Sequence, residues 1–401
     1  MSVRDLLIKY ICKITKIKNN RIVFDSFNGI GYSDSPKAIC EVLRKSGEDL
    51  ELYWICRDKA ARMSLPKDVH AVPVTGKIKS IIKYRILASS KVWVGNCRRY
   101  ENVKRKGQFY MQTWHGFALK KIEEDIQNKE NTESPEKRKE YLDYKRAAST
   151  DSAQCDMLVS GSEFMSKIYQ KSFFGFNGEV KNIGTPRDDI FFQKDKHSEL
   201  HAKVCKAMGV PEDRKLVLYA PTFRDSGNSD IYKKLDFEMV RRKCKENFGG
   251  EWSVMVRLHP NKRELSKELA YLFDGDVILD ATHYSDNQEL LCAVELLITD
   301  YSSCMFDYAL TGKRIALFAT DIEAYEMERG FYYPLETLPF PIAQSNEELE
   351  KILTVLKPIE KIDKWDNFKL LMGFCENGDA SRKCADIILD EIHSKHSEVN
   401  I

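Results

Sequence analysis

The stretch LLITDYSSCMFDYALTGKRIALF, residues 296–318, contains a strand, a helix and a second strand in immediate succession. The apolar run LLIT predicts the first strand, CMFDYAL has helical periodicity, and RIALF predicts the second strand. A helix between two strands is typical of a crossover in a parallel sheet. Because ligands bind beyond the carboxyl ends of such strands, the polar segment DYSS is a candidate binding site.

The same alternation extends over most of the 401 residues. In the first half, strand-like runs alternate with helical patterns. These runs occupy residues 21–27, 50–57, 71–74, 91–96, 109–116 and 156–162. A second α/β series begins near Leu216, and a chain of this length exceeds one ordinary core. The pattern predicts an α/β protein with two doubly wound domains, each built on a mostly parallel sheet.

Composition and charge argue against several broad classes of protein. Hydrophobic residues make up 43% of the chain, which is typical of globular proteins. The formal net charge of +2 argues against a dedicated nucleic-acid-binding protein. No apolar run reaches the roughly 18–20 residues that span a bilayer. The absence of a signal peptide predicts a cytoplasmic location.

Eleven cysteines are scattered along the chain without a CxxC pair or a zinc-type spacing. An odd number of cysteines without a framework predicts reduced thiols in a reducing compartment. We expect most of them to act as small, buried apolar side chains. A catalytic cysteine stays open as the alternative.

The first 18 residues, MSVRDLLIKYICKITKIK, predict a basic amphipathic helix. Its apolar residues fall on one helical face, and its lysines mostly lie off that face. Two interpretations stay open. A helix of this kind binds an anionic membrane surface, or it packs against its own domain.

Polar residues directly follow several of the predicted strands. They are Asp25, Ser26, Asn96, His115 and Gly116 in the first half, and Thr222, Arg224, His259, Asp300, Ser302 and Ser303 in the second half. Each residue taken alone is either a cap or turn residue or a ligand-binding residue. Since the carboxyl ends of parallel strands line the binding crevice, the set as a whole favours a ligand site.

The types of these residues favour a phosphate ligand. Ser302 and Ser303 precede a helix, where serines serve either as ordinary N-caps or as donors to a bound phosphate. Arg257 and His259 lie on the same face of one strand. A cation beside an imidazole suits a diphosphate that undergoes bond cleavage.

Two further arginines, Arg187 in GTPRDD and Arg224 in APTFRD, either reach this ligand or join the domains structurally. The motifs GxGxxG, GxxxxGKS/T, HExxH and GxSxG are absent from the sequence. The DGD at 274–276 is interpreted as a turn rather than a metal-binding DxD motif. The residues therefore predict a phosphate-handling transferase without assignable metal ligands.

Nine segments resemble, in order, the CDP-glycerol glycerophosphotransferase family of teichoic-acid primases, polymerases and related capsule enzymes. They are SFNGIGYSDSPKAI, LASSKVWVGN, QTWHGFALKK, SGSEFMSKIY, GTPRDDIF, YAPTFRD, VRLHP, LLITDYSSCMFDYALTGKRIALFATD and YEMERGFYYPLE, within about residues 20–340. The resemblance implies a GT-B-type architecture, with two Rossmann-like domains facing each other across a cleft. It also implies transfer of glycerol phosphate, or ribitol phosphate in relatives, from a CDP-alditol to a hydroxyl, with release of CMP.

The resemblance further implies roles for individual residues. His115 matches the histidine of the WHG motif, taken as the catalytic base, and His259 matches the HP histidine that acts at the donor diphosphate. The expected donor-binding residues are Arg187, Thr222, Arg224, Arg257, Glu289, Asp300, Ser302 and Ser303. The expected acceptor-side residues are Asn28, Asp34, Asn96 and Gly116. A divalent cation is compatible with the reaction, but no metal ligand is assigned.

The expected domains are a basic amphipathic helix (1–19), an acceptor domain (20–195), a CDP-alditol donor domain (196–375) and a C-terminal helix and tail (376–401). The expected partners are the CDP-alditol and an undecaprenyl-diphosphate-linked saccharide or polymer. The protein is expected to be peripheral on the cytoplasmic face of the membrane, which the N-terminal helix contacts. No nucleic-acid partner is expected, and a homo-oligomer stays open.

Two segments depart from the family pattern. Phe117 and Ala118 stand where relatives often carry a small polar residue and a proline, which puts the acceptor side in question. The segment ATHYSDNQELL, residues 281–291, leaves the role of Glu289 near the donor ribose open. Three alternatives are retained: a CDP-ribitol enzyme, a GT-B glycosyltransferase or epimerase that uses a UDP-sugar, and a non-catalytic membrane-surface protein.

Overall fold

The computed structural model describes residues 3–74, 77–99, 101–126, 134–222, 224, 229–258 and 265–394. The chain divides into two compact units. Unit 1 consists of Met1–His115, Ile122–Asp189 and Phe374–Ile401, and unit 2 consists of Gly116–Lys121 and Ile190–Gly373. The chain therefore passes from unit 1 to unit 2 directly after His115. The assignment of an acceptor and a donor domain stays a prediction.

Unit 1 is built around a parallel sheet. Its described strands are β1 (Lys18–Asp25), β2 (Glu51–Cys56), β3 (His70–Pro73), β4 (Ser90–Gly95), β5 (Phe109–Gln112), β6 (Met157–Ser160) and β7 (Glu179–Asn182). Their spatial order is β3-β2-β1-β4-β5-β6-β7, and each of these pairings is parallel. In this doubly wound order, the winding direction reverses between β1 and β4.

Helices cover the sheet of unit 1. They are α1 (Val3–Ile14), α2 (Asp34–Arg44), α3 (Lys59–Met63), α4 (Lys77–Ser89), α5 (Pro135–Ser152), α6 (Glu163–Ser172) and α15 (Ala380–His393). Phe24, Trp54 and Met111 of the sheet belong to one buried cluster with Ile39 of α2 and Ile388 of α15. Strand β4 is buried along its whole length, as a central parallel strand between two helical layers should be.

The C-terminal helix α15 is held in unit 1 by the turn that follows β7. The Asp189 carboxylate accepts hydrogen bonds from the Ala380 and Ser381 N–H groups at 3.0 and 2.7 Å, and so caps the helix. Glu376 accepts hydrogen bonds from the Thr185 N–H and hydroxyl at 2.8 and 2.6 Å. These bonds give the polar GTPRDD turn a structural role.

Unit 2 repeats the design with a second parallel sheet. Its described strands are β8 (Lys215–Ala220), β9 (Trp252–Val256), β10 (Ile278–Asp280), β11 (Leu296–Thr299), β12 (Arg314–Phe318) and β13 (Ile342–Ala343). Their order is β10-β9-β8-β11-β12-β13, so the reversal lies between β8 and β11. The first strand and the last strand of the stretch 296–318 are β11 and β12.

The helices of unit 2 are α7 (His197–Met208), α8 (Phe237–Phe248), α9 (Leu265–Glu268), α10 (Asn287–Ala293), α11 (Cys304–Ala309), α12 (Ile322–Arg329), α13 (Asn346–Val355) and α14 (Asp363–Met372). The segment Gly116–Lys121 also belongs here, since Lys120 forms an antiparallel bridge with Phe331. The Phe117 ring lies 4.5 Å from that of Phe306. Phe117 is therefore part of the interior of unit 2.

Helix α1 packs against its own unit. Ile8 and Cys12 are buried against Ala88 at the end of α4. The Arg105 guanidinium donates a hydrogen bond to the Thr15 carbonyl at 2.6 Å, just beyond the helix. Of the two interpretations of the N-terminal segment, the structure thus shows the packing. None of the described helices has both the length and the apolar character needed to cross a membrane.

Candidate active site

The loops after β1 and β4 meet at the reversal point of unit 1. The Asn96 side chain is fully buried, and its Oδ1 accepts a hydrogen bond from the Phe27 N–H at 2.9 Å. Phe27, Asn28 and Gly29 have φ angles of 47°, 55° and 82°. Three successive residues thus adopt the left-handed conformation, which residues other than glycine rarely take. Asn96 holds this unfavourable loop in place.

His115 follows β5 and contacts both of these loops. Its Nδ1 lies 2.7 Å from the Asn96 carbonyl oxygen, and its ring lies 5.9 Å from that of Phe27. Because a carbonyl oxygen only accepts hydrogen bonds, Nδ1 carries a proton, and in the neutral form of the ring the lone pair therefore lies on Nε2. The side chain is half-buried. A histidine held in this tautomer is suited to accept a proton at Nε2.

The Trp114 side chain packs beside the His115 imidazole. Trp114 has a left-handed φ angle of 52°, and its ring lies 4.4 Å from that of His115. The Trp114 N–H donates a hydrogen bond to Gln112 Oε1 at 3.0 Å. Arg98 also lies over the Trp114 ring, with 5.5 Å between the guanidinium carbon and the ring centre. The backbone at the candidate base is therefore both strained and firmly held.

Asp34 and Arg187, which the sequence assigned to the acceptor and the donor side, lie together in unit 1. Arg187 Nη1 donates a hydrogen bond to Asp34 Oδ2 at 3.0 Å, and both side chains are buried. The Arg187 N–H also donates to Ser35 Oγ at 3.3 Å. The pair thus joins the GTPRDD turn to the start of α2. A donor contact of Arg187 stays a prediction.

In unit 2, Arg224 connects the loops that follow three strands. Its guanidinium donates to Asp300 at 2.9 Å and to both carboxylate oxygens of Asp321 at 2.8 and 2.9 Å. The rings of Tyr301 and Tyr325 lie 4.9 and 4.8 Å from the guanidinium carbon. Burial opposes the charge, but the two carboxylates outweigh burial and raise the pKa of Arg224. Arg224, Asp300 and Asp321 therefore form a rigid network of buried charges, called the brace of unit 2 below.

Asp300 stabilises the serine loop, residues 300–303, which lies between β11 and α11. Asp300 is fully buried, and its Oδ1 accepts a hydrogen bond from the Thr222 N–H at 2.7 Å. Ser302 and Ser303 are half-buried, and Ser302 Oγ accepts from the Cys304 N–H at 3.4 Å. Ser303 occupies the N-cap position of α11. The serines thus stand at the start of a helix, as expected, and their contact with phosphate stays a prediction.

Arg257 directly follows β9, and Glu289 lies in the first turn of α10. Arg257 Nη1 donates to the carbonyl oxygens of Ala281 and Tyr284 at 3.0 and 2.9 Å. The Tyr284 hydroxyl and Lys203 Nζ donate to Glu289 Oε2 at 2.8 and 2.7 Å. Arg257 therefore shapes the segment that supplies a partner to the buried Glu289 carboxylate.

Comparison with known proteins identifies the family. The sequence pattern of the CDP-glycerol:poly(glycerophosphate) glycerophosphotransferases matches residues 7–390. The chain belongs to this family. The teichoic acid poly(glycerol phosphate) polymerase of Staphylococcus epidermidis is 30% identical over 403 residues, which cover 95% of this chain and 52% of the relative. The polymerase of the same description from Bacillus spizizenii is 30% identical over 97% of this chain and 98% of the relative.

A solved structure extends the similarity to the fold. The wall teichoic acid polymerase TagF matches with a TM-score of 0.78 and 28% identity, covering 96% of this chain and 93% of that one. The predicted fold class, α/β with two Rossmann-like doubly wound domains of the GT-B type, is confirmed. The chain spans about half of the length of the Staphylococcus epidermidis relative.

Some predictions for the glycerophosphotransferase site are not resolved by these contacts. His259 lies outside the described residues, so its role at the donor diphosphate stays a prediction. Gly116, with φ 157°, begins the segment that enters unit 2. Phe117 and Ala118 are buried in that unit. Their departure from the family pattern therefore affects the packing of unit 2.

The sequence left a divalent cation and a catalytic cysteine open. Within the described ranges, no three His, Cys, Asp or Glu side chains form a group that could hold a metal ion. None of the eleven cysteines forms a disulfide bond, and most of them are buried. Burial raises the pKa of the Cys304 thiol, next to the serine loop, to about 11. This thiol is protonated at neutral pH, which favours a structural role.

The sequence did not reveal the residues that support His115. Arg98, Glu123 and Asp151 form a buried ion network beneath Trp114. The paired arginines 98 and 99, three and four residues after the end of the apolar strand β4, were the available signal. Their partners come from distant parts of the sequence, and no local pattern identifies them.

Proposed function

We propose that this chain transfers an alditol phosphate, glycerol phosphate above all, from a CDP-alditol to a hydroxyl group, with release of CMP. The acceptor is a lipid-linked saccharide or a growing polymer of the teichoic-acid or capsule type. The proposal rests on family membership together with one observation: the Asn96 carbonyl fixes the His115 tautomer with the lone pair on Nε2.

The reaction is an in-line displacement at the β-phosphorus. The acceptor oxygen attacks that phosphorus as the bond to the bridging oxygen of CMP breaks. The hydroxyl proton passes to His115 Nε2, and a new phosphodiester forms. General-base help of this kind contributes roughly 10²–10⁴-fold to the rate. His259 acts at the leaving CMP.

Donor recognition is assigned to the strand ends of unit 2. Thr222, Ser302 and Ser303 contact the phosphates, since phosphoryl transfer depends mostly on positioning and electrostatic stabilisation. Glu289 lies at the ribose, with its carboxylate oriented by Tyr284. Arg224 and Asp300 act indirectly, because their polar groups bind each other and the adjoining loops.

The basic first helix is assigned to the membrane surface that holds the acceptor. Tyr10 and Ile14 are exposed on the side of α1 that does not pack, Lys13 of the same helix is exposed, and Lys16 is exposed two residues beyond the helix end. Exposed apolar and basic side chains on one helix favour anionic lipid. Replacing Tyr10 and Ile14 by serine should weaken sedimentation with phosphatidylglycerol vesicles. The matched control, Met63→Ser on exposed α3, should not.

The activity is tested by incubating the protein with a nucleotide donor and an undecaprenyl-diphosphate-linked disaccharide. CDP-glycerol, CDP-ribitol and UDP-N-acetylglucosamine are compared by chromatography of the released nucleotide and mass spectrometry of the lipid. We expect CMP in equal amount to the added glycerol phosphate. A CDP-ribitol preference would change the alditol. Turnover of the UDP-sugar with no CMP from either CDP-alditol would contradict the proposal.

A further inference from the structure

Arg98 is the centre of a buried network in unit 1. Its Nε and Nη2 donate to the two carboxylate oxygens of Glu123 at 2.8 and 2.7 Å. Its Nη1 donates to Asp151 at 3.1 Å and to Ser152 Oγ at 2.7 Å. The exposed fractions of the Arg98, Glu123 and Asp151 side chains are 6%, 2% and 1%. Charged groups are buried to this extent only when they are paired and hydrogen-bonded.

The network extends toward the candidate base through contacts between aromatic rings. The Arg98 guanidinium carbon lies 4.3 Å from the Phe173 ring centre and 5.5 Å from that of Trp114. The Trp114 ring contacts Phe173 at 4.7 Å and His115 at 4.4 Å. A planar cation against aromatic rings gives a defined geometry, which the point charge of a lysine does not reproduce.

The backbone beside the imidazole needs this support. Both Trp114 and Glu123 have left-handed φ angles, 52° and 45°. Such conformations persist only where the surrounding structure holds them, and they concentrate at functional sites. Glu123 also accepts hydrogen bonds from the Phe174 N–H at 3.0 Å and the Tyr144 hydroxyl at 3.2 Å. The carboxylate that binds Arg98 is therefore fixed from several directions.

We propose that Arg98 is a positioning residue that sets the orientation and tautomer of His115 through Trp114. The planar Arg98 guanidinium holds the Trp114 ring in place, and this ring packs against one side of the His115 imidazole. The Asn96 carbonyl then selects the Nδ1-protonated form. The role in transfer rests on the proposed function, whereas the effect on the imidazole does not depend on it.

The test is Arg98→Lys, which keeps the positive charge and removes the planar fork. The protein has eight histidines, so the His115 ring nitrogens are assigned in ¹⁵N-histidine-labelled protein by comparison with His115→Gln. In Arg98→Lys we expect loss of the predominant Nδ1–H tautomer. We expect kcat to fall about 10- to 100-fold, because small misplacements of catalytic groups have effects of this size. The KM for CDP-glycerol should change less than about 3-fold, since Arg98 lies in unit 1.

The matched control is Arg21→Lys. Arg21 also forms a two-pronged contact with one carboxylate, that of Glu51, and lies 4.7 Å from the Tyr53 ring. It belongs to the same unit but has no contact with His115 or Trp114 among these interactions. This variant should leave the His115 tautomer and kcat unchanged.

The outcomes separate the two claims. A lost tautomer with reduced kcat supports both the positioning role and the proposed base. A lost tautomer with unchanged kcat supports the positioning role and contradicts the base. A retained Nδ1–H tautomer overturns the positioning role, whatever the rate. If circular dichroism shows that Arg98→Lys does not fold, the ¹⁵N-histidine spectrum is recorded on Trp114→Phe instead. A retained Nδ1–H tautomer in that variant also overturns the proposal.

Discussion

Each unit has a buried arginine in the loop after a central strand, and the two arginines are surrounded in similar ways. Arg98 of unit 1 and Arg224 of unit 2 each bind two carboxylates and each lie against two aromatic rings. Among the described residues, left-handed φ angles outside glycine occur in unit 1 alone, at Phe27, Asn28, Asp34, Trp114 and Glu123. The two arginine networks are therefore similar, but the backbone near Arg98 contains left-handed residues other than glycine and the described backbone near Arg224 does not.

The difference suggests two ways of preparing a site for chemistry. In unit 1, each strained residue costs of order 1–3 kcal/mol, and the neighbouring contacts hold it in place. In the described loops of unit 2, residues other than glycine keep ordinary backbone angles, and buried charges fix these loops instead. A general base needs one nitrogen held in an accurate orientation, whereas a phosphate site needs its loops held in fixed positions. We infer that this is why the strain lies beside His115.

Arg224→Met should have the largest effect on stability. The substitution removes the cation and leaves Asp300, whose side chain is fully buried, without its charged partner. Breaking a buried pair from one side typically costs about 3–5 kcal/mol. Urea unfolding followed by tryptophan fluorescence should show this loss. Arg242→Met, which removes the exposed contacts with Glu246 and Glu350, is the control and should leave the midpoint nearly unchanged.

Equal midpoints for the two arginine variants would contradict the distinction between a buried brace and a surface ion pair. The same comparison tests whether unit 2 depends on charge. If Arg224→Met unfolds with wild-type stability, the serine loop must be held by other contacts.

Asn28→Ala should have a smaller effect, and it tests the strain in unit 1. Asn28 is exposed, and its φ is 55°. A left-handed alanine costs roughly 1–2 kcal/mol, whereas asparagine and glycine accept this conformation more readily. We expect Asn28→Ala to lower the free energy of unfolding by about 1 kcal/mol and Asn28→Gly to leave it nearly unchanged. Equal losses in the two variants would show that the side chain matters rather than the φ angle.

Asp321→Asn should have the smallest effect and should depend on pH. Burial raises the pKa of Asp321, but the Arg224 guanidinium and the Tyr301 hydroxyl outweigh burial and hold it below its usual value. The contribution of the carboxylate is then complete above about pH 4, the unfolded-state value, and is lost as pH falls through the lowered native pKa. Urea midpoints at pH 7, 4 and 3 should converge for wild type and variant. A constant difference would contradict the assignment.

Periodic apolar runs were sufficient to predict the architecture. The strand–helix–strand unit at 296–318 and most strands of both sheets follow from hydrophobic periodicity and loop composition. Strand β7, with the sequence EVKN, was not predicted because it lacks an apolar run. Strand β13 has only two residues and was also too short to recognise.

The candidate site was less accessible from sequence. Strand-end position drew attention to His115, Asn96 and Asp300, because residues that follow the strands of a parallel sheet lie at the carboxyl edge of that sheet. Contacts over long sequence distances were not visible. Arg98 binds residues 25 and 53 positions away, and left-handed Trp114 has no local signature. Phe117 was expected to affect the acceptor side. It lies in the interior of unit 2, because Lys120 of the same segment pairs with Phe331.

The central claim is that His115 takes the acceptor proton while unit 2 binds the donor. The direct test is His115→Gln, with calorimetric titration of CDP-glycerol and a single-turnover measurement of CMP release on the same protein. The account predicts an affinity within about 3-fold of wild type and a rate lowered by roughly 10²–10⁴-fold. His70→Gln, at an exposed position on β3, should match wild type in both. A parallel loss of donor affinity and rate in His115→Gln would contradict the account.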